Sequence, residues 1–111
     1  MSLPHKDGAL RVRVILYGVL RTTANVGRLE LEVDTGTSVR QLVTKLVHMI
    51  ARTEFEKSLI DPDSQDPRPN ALIIISGTEI GALNSLDTTL KEGDEILFLP
   101  VVHGGAGPTK R

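Results

Sequence analysis

Cysteine is absent from the 111 residues. That removes a disulfide framework, a thiol nucleophile and any thiolate zinc or iron–sulfur site. Histidine is scarce: His5, His48 and His103 stand far apart along the chain, so neither a histidine metal site nor a catalytic triad is expected. An excess of one charge is missing too. The 13 Lys+Arg against 14 Asp+Glu leave a net charge of −1, which gives no basic field to hold nucleic acid through counterion release. No apolar run approaches the roughly 20 residues of a membrane span, and the first residues lack a signal peptide's apolar stretch. The acids Asp61, Asp63 and Asp66 read as loop solvation rather than an acid–base set. The expectation is a cytoplasmic protein that is not an enzyme, binds no metal, and has neither a membrane nor direct nucleic acid as partner.

What is present is the balance of a globular domain, 40% hydrophobic and 24% charged. The length suits one domain with no second core. Residues 1–9 hold Pro4 and Gly8 without periodicity and read as a lead-in. From Leu10, RVRVILYGVL reads as a strand, and Arg21–Gly27 as a turn. RLELEVD alternates strictly, with Leu29, Leu31 and Val33 on one face and Arg28, Glu30, Glu32 and Asp34 on the other. That spacing predicts a strand buried on one side.

A helix follows. Ser38 with Gln41 forms a capping box, in which side chains satisfy the N–H groups that a first turn leaves free. Val39, Leu42, Val43, Leu46, Val47 and Ile50 recur as one apolar stripe. His48 falls on the opposite, solvated side with Gln41, Thr44, Lys45 and Arg52. The helix is expected to fade between Ala51 and Lys57. DPDSQDPRPN, residues 61–70, has three prolines and predicts an exposed loop. ALIIIS predicts a strand, Ser76-Gly77 a tight hairpin, and residues 85–93 a crossover anchored by Leu86 and Leu90. DEILFLPVV is the last strand.

The order strand, strand, helix, strand, short strand, strand suits an α+β β-grasp fold: a mixed sheet of about five strands around one main helix. An OB-like barrel is the alternative, but it does not account for so strong a helix. If Ile96 and Phe98 face the helix, alternation sends Leu97 and Leu99 outward, with Ile15, Tyr17 and either Leu72/Ile74 or Ile73/Ile75. An outward apolar cluster of that size marks a docking surface; cover by the lead-in or the residue 61–70 loop is the other reading.

The run LKEGDEILFLPVVHGG at the end of such a domain resembles the C-terminal signature of the ubiquitin-like β-grasp sulfur-carrier and modifier superfamily. The stretch from Arg68 to Gly105 is most like the ubiquitin-related modifiers that double as carriers for tRNA thiolation. From Val12 to Ile60 the likeness is one of pattern and element order. Six residues, Ala106 to Arg111, follow the second glycine, as in ubiquitin-type precursors trimmed by a protease. The resemblance implies processing between Gly105 and Ala106, then activation of the Gly105 carboxylate as an acyl-adenylate by a ubiquitin-activating-type enzyme. That enzyme consumes the ATP, and the carrier needs no cofactor of its own. Gly104 and Gly105 suit a narrow channel because glycine lacks a Cβ. Pro100, Val101 and Val102 favour an extended approach.

A tail over residues 103–111, after a domain over residues 10–102, is then expected to stay mobile until a partner grips it, since ordering costs about 1–2 kcal/mol per residue. His103 matches the family's His-Gly-Gly ending and is expected to serve in recognition. Two outcomes of activation remain open, conjugation to target lysines and sulfur donation as a thiocarboxylate to tRNA, molybdopterin or thiamin precursors. Partners would be the activating enzyme, the protease, and target proteins or a sulfur-acceptor enzyme, with the carrier itself a monomer. A non-conjugating interaction module is the third reading. Lys6, Lys45, Lys57 and Lys91 are possible chain acceptors, with none singled out.

Overall fold

The structure, a computed structural model, describes residues 8–101. Strands β1 (Ala9–Leu16), β2 (Arg28–Asp34), β3 (Ala71–Ile75), β4 (Thr78–Glu79) and β5 (Glu95–Pro100) form one sheet in the order β2-β1-β5-β3-β4. β1 pairs antiparallel with β2 and parallel with β5, and β3 is antiparallel to both β5 and β4. Among the described residues three α-helices accompany it: α1 (Gly18–Ala24), α2 (Val39–Ile50) and α3 (Thr53–Leu59). This is the β-grasp arrangement, with parallel central strands β1 and β5 flanked by the antiparallel strands β2 and β3.

The elements that the sequence marks most clearly form as read. β2 buries Leu31 and Val33 while its charged residues stay exposed. Ser38 caps α2: its Oγ accepts from Gln41 N–H at 3.2 Å, and Gln41 Oε1 accepts from Ser38 N–H at 2.9 Å. Val39, Leu42, Val43 and Leu46 are buried, with Val47 and Ile50 partly so. Ser76 and Gly77 both take positive φ, 45° and 92°, the geometry of a two-residue hairpin turn. Leu86 and Leu90 anchor the crossover in the core.

Two expectations are corrected. The strand read through RVRVILYGVL stops at Leu16, and Gly18–Ala24 is a helix, so only Asn25–Gly27 remains of the expected turn. Gly18 at φ 56° breaks the extended backbone, and Leu20 with Ala24, four residues apart, then bury one helical face. The main helix does not fade through Ala51–Lys57 either. It ends at Ile50, Ala51 takes a left-handed cap at φ 54°, and α3 starts two residues later. Phe55 and Leu59 are fully buried from α3, which burial of about 1.5–3 kcal/mol each makes worthwhile for so short a helix. Residues 61–70 are an exposed connector as read, apart from a buried Pro67.

Candidate docking face and tail root

Cross-strand register settles which side chains share the outer face of the sheet. Ile15 of β1 lies between Arg28 of β2 and Leu97 of β5, and Leu97 lies beside Ile74 of β3. The next row toward the end of β5 joins Leu99 to Leu72. Tyr17 follows Leu16, the partner of Phe98, so it reaches the level of Leu99; its N–H donates to Phe98 O at 3.2 Å. The inner partners Ile73, Ile75, Ile96 and Phe98 are buried, which makes Leu72 and Ile74 the outward pair of β3. Tyr17, Leu72 and Val101 are 41%, 42% and 41% exposed, so no described segment covers this end of the face.

A charged row borders the apolar ones. Arg13 pairs with Glu30 at 3.6 Å and Glu95 at 3.4 Å, all on the outer face. Exposed pairs of this kind add little stability; they define where the apolar surface stops. The face is therefore polarised, charged toward the start of β5 and apolar toward its end, where the chain continues to Gly104 and Gly105.

The root of that continuation is held from two sides. Val101 N–H donates to Asn70 O at 2.9 Å, and Asn70 Nδ2 donates to Leu59 O at 3.1 Å, tying it to the end of α3. From the other side α1 leans on β5: a Cβ built on Gly18 would stand 2.8 Å from Pro100 Cγ. The expected site residues thus divide. Ile15, Tyr17, Leu97 and Leu99 are brought onto one surface, while His103, Gly104, Gly105 and Ala106 lie outside the described residues, as do Val102 and Lys6.

The helical side carries less chemistry. His48 is exposed on α2, its Nδ1 2.9 Å from Thr44 O. It lines a hollow of about 260 Å³ between α2, α3 and residues 65–67, together with Arg40 and Glu56. Asp66, gripped by the Arg68 guanidinium and backbone N–H, is held below the usual carboxylate range, and Arg68 is raised in turn. Asp61 is lowered by hydrogen bonds from Ser64 N–H and Oγ, both 2.9 Å. These contacts shape the loop. Among the described residues no three His, Cys, Asp or Glu gather as a metal set, and no helix is long and apolar enough to cross a membrane.

A five-stranded β-grasp sheet with an apolar outer face, on the strand that leads toward Gly104 and Gly105, is the arrangement of a ubiquitin-like carrier or modifier. Comparison with known families matches residues 14–105 to the ThiS family, and the chain belongs to it. The chain is similar to the ubiquitin-related modifier 1 homolog of Drosophila ananassae, 29% identical over 101 residues, covering 88% of this chain and 99% of that protein. Its fold superimposes on small archaeal modifier protein 1 from Methanosarcina acetivorans with a TM-score of 0.72 at 27% identity, over 87% of this chain and 98% of the other. Urm1 from Trypanosoma brucei has a similar fold, with a TM-score of 0.70 at 23% identity, over 90% of this chain and all (100%) of the other. Members of this family are small carrier proteins and not catalysts, so the chain is not an enzyme.

Sequence reasoning found the apolar face but missed one neighbouring feature. Arg21 and Arg28 meet in a cleft beside Ile15 and Tyr17. The signal would have been α1 itself, since only a helix after Tyr17 turns Arg21 back toward Arg28.

Proposed function

We propose that the chain is the precursor of a ubiquitin-like modifier. In this reading a protease hydrolyses the Gly105–Ala106 bond, and the freed Gly105 carboxylate attacks the α-phosphorus of ATP on an activating enzyme, releasing pyrophosphate. An enzyme thiol then displaces AMP to give a thioester, and a target lysine amine displaces the thiol to leave an isopeptide bond. The carrier supplies no catalytic group and no cofactor. Its apolar face, Ile15, Tyr17, Leu97 and Leu99, docks on the activating enzyme, while residues 103–105, freed of the rest of the 103–111 tail, enter the enzyme's site, with His103 contributing to recognition. The setting is cytoplasmic.

The observation that carries this reading is where the family match stops: at residue 105, the second glycine, with six residues still to come. An extension beyond the reacting glycine calls for trimming before activation. The ThiS match also favours a second reading, in which the outer sulfur of a partner's persulfide displaces AMP to give an acyl persulfide, and a second thiol attacks its sulfur–sulfur bond, leaving a disulfide on the partner and Gly105 as a thiocarboxylate, the form that donates sulfur to tRNA or to a cofactor precursor.

ATP–pyrophosphate exchange with the purified activating enzyme of the source organism tests the shared step. A chain ending at Gly105 supports exchange and the full-length chain does not. Equal exchange by both, or by neither, contradicts the reading.

A further inference from the structure

Of the seven described arginines four are engaged through their side chains, and Arg11 lines a separate cleft beside Glu30 and Glu92. Arg13 pairs with Glu30 and Glu95, Arg40 with Asp87 and Arg68 with Asp66, and Arg52 donates to Thr23 O at 3.0 Å. Arg21 and Arg28 make no ion pair or side-chain hydrogen bond with any described residue, yet they line one open cleft of about 440 Å³ with Ile15, Leu16, Tyr17 and Gly27. Among the described residues no acidic one lines it. The local fold brings the two cations together: Arg21 sits in the last turn of α1, Asn25 at φ 61° ends the helix, and Arg28 opens β2. Gly27 leaves room for Arg21, because a Cβ there would stand 2.7 Å from Arg21 Nε and 3.0 Å from its Cδ. The Arg21 side chain therefore lies across the Gly27 backbone.

The cleft is continuous with the apolar rows, since Arg28 lies opposite Ile15 and Ile15 opposite Leu97. Two cations on one concave surface repel each other, and an anion between them relieves that repulsion. A planar guanidinium matches a carboxylate in a two-point hydrogen-bonded grip. A nucleic-acid backbone fits less well, because Glu30, Glu32 and Asp34 stand exposed along the same strand and repel an extended polyanion.

We propose that the Arg21–Arg28 cleft receives a carboxylate side chain of the activating enzyme, flanking the apolar face and steering the complex into register. The inference rests on the reading that this face docks the activating enzyme. Steering of this kind acts on encounter and orientation more than on the chemical step.

The test is pyrophosphate exchange with chains ending at Gly105. In about 50 mM salt, Arg21→Glu/Arg28→Glu is expected to raise KM for the carrier about tenfold with kcat unchanged, and the gap is expected to close as salt screens the contact. Arg21→Gln/Arg28→Gln is expected to shift KM in the same direction by less. Gly27→Ala, which displaces Arg21 without touching either charge, is expected to raise KM while the denaturation midpoint stays put. Lys45→Glu/Lys57→Glu makes the same change in net charge away from the cleft and leaves KM within about twofold.

A KM for the glutamate variant within about twofold of the unsubstituted chain overturns the inference. So does an equal rise for the lysine variant, which would reduce the effect to net charge. Unchanged KM with lost binding of a transfer-RNA probe would assign the cleft to phosphate instead. If the unsubstituted chain supports no exchange at all, the docking reading fails and takes this inference with it.

Discussion

Gly18 and Pro100 touch where a side chain cannot fit: a Cβ on Gly18 would come within 2.8 Å of Pro100 Cγ, and Gly18 holds φ at 56°. The first turn of α1 is thereby pressed against the end of β5, the strand that leads to the diglycine. Gly18→Ala meets both a left-handed backbone and a ring it cannot pass, so it is expected to cost about 1–2 kcal/mol or more. Gly27→Ala meets only a flexible arginine and is expected to stay near the unsubstituted stability. Chemical denaturation of the two variants side by side checks the contrast.

Under the proposed function, the outer face separates docking from folding. Leu97 lies at the centre of the apolar rows, between Ile15 and Ile74, and its neighbour Phe98 is fully buried on the other side of the sheet. Leu97→Asp or Leu99→Asp is expected to leave a folded domain that binds the activating enzyme weakly, by about 2 kcal/mol or roughly thirtyfold if the position is a hot spot. Phe98→Ala opens a cavity and is expected to cost about 3–5 kcal/mol of stability. Titration calorimetry with thermal melts of the same samples tells the two apart, and unchanged affinity in both aspartate variants removes this surface from the account.

Acid dependence is assigned to the loop before β3. Arg68 lowers the Asp66 carboxyl below its ordinary value, so the ionised form stabilises the fold. That contribution is complete above the unfolded carboxylate range, near pH 4, and drains away as pH falls through the lower folded value. Asp66→Asn is therefore expected to melt below the unsubstituted protein at neutral pH, with the gap shrinking as the buffer is made more acidic than about pH 4. Melting curves across that range measure it; a gap independent of pH assigns the loss to geometry instead of charge.

Much of this architecture is legible in the chain. β2 shows itself by unbroken alternation and α2 by a capping box and six stripe positions, because long periodic elements repeat their signal. α1 and α3 do not repeat theirs. Each has seven residues and two buried side chains, Leu20 with Ala24 and Phe55 with Leu59, which is a single pair at helical spacing. In α1 the pair is further hidden behind VILYGVL, whose apolar run continues smoothly while Gly18 turns the backbone. The apolar outer face follows from alternation in β5, but the parity of β3 needs the pairing of Leu72 with Leu99. The Arg21–Arg28 cleft was out of reach until α1 was known to be a helix.

The most direct check of the central claim is the intact mass of this protein recovered from its native cells. The account predicts a chain that ends at Gly105, free of Ala106–Arg111, with a fraction carrying sulfur in place of one terminal oxygen or joined through Gly105 to lysines of other proteins. A population retaining all six residues after Gly105, without adducts, would contradict it.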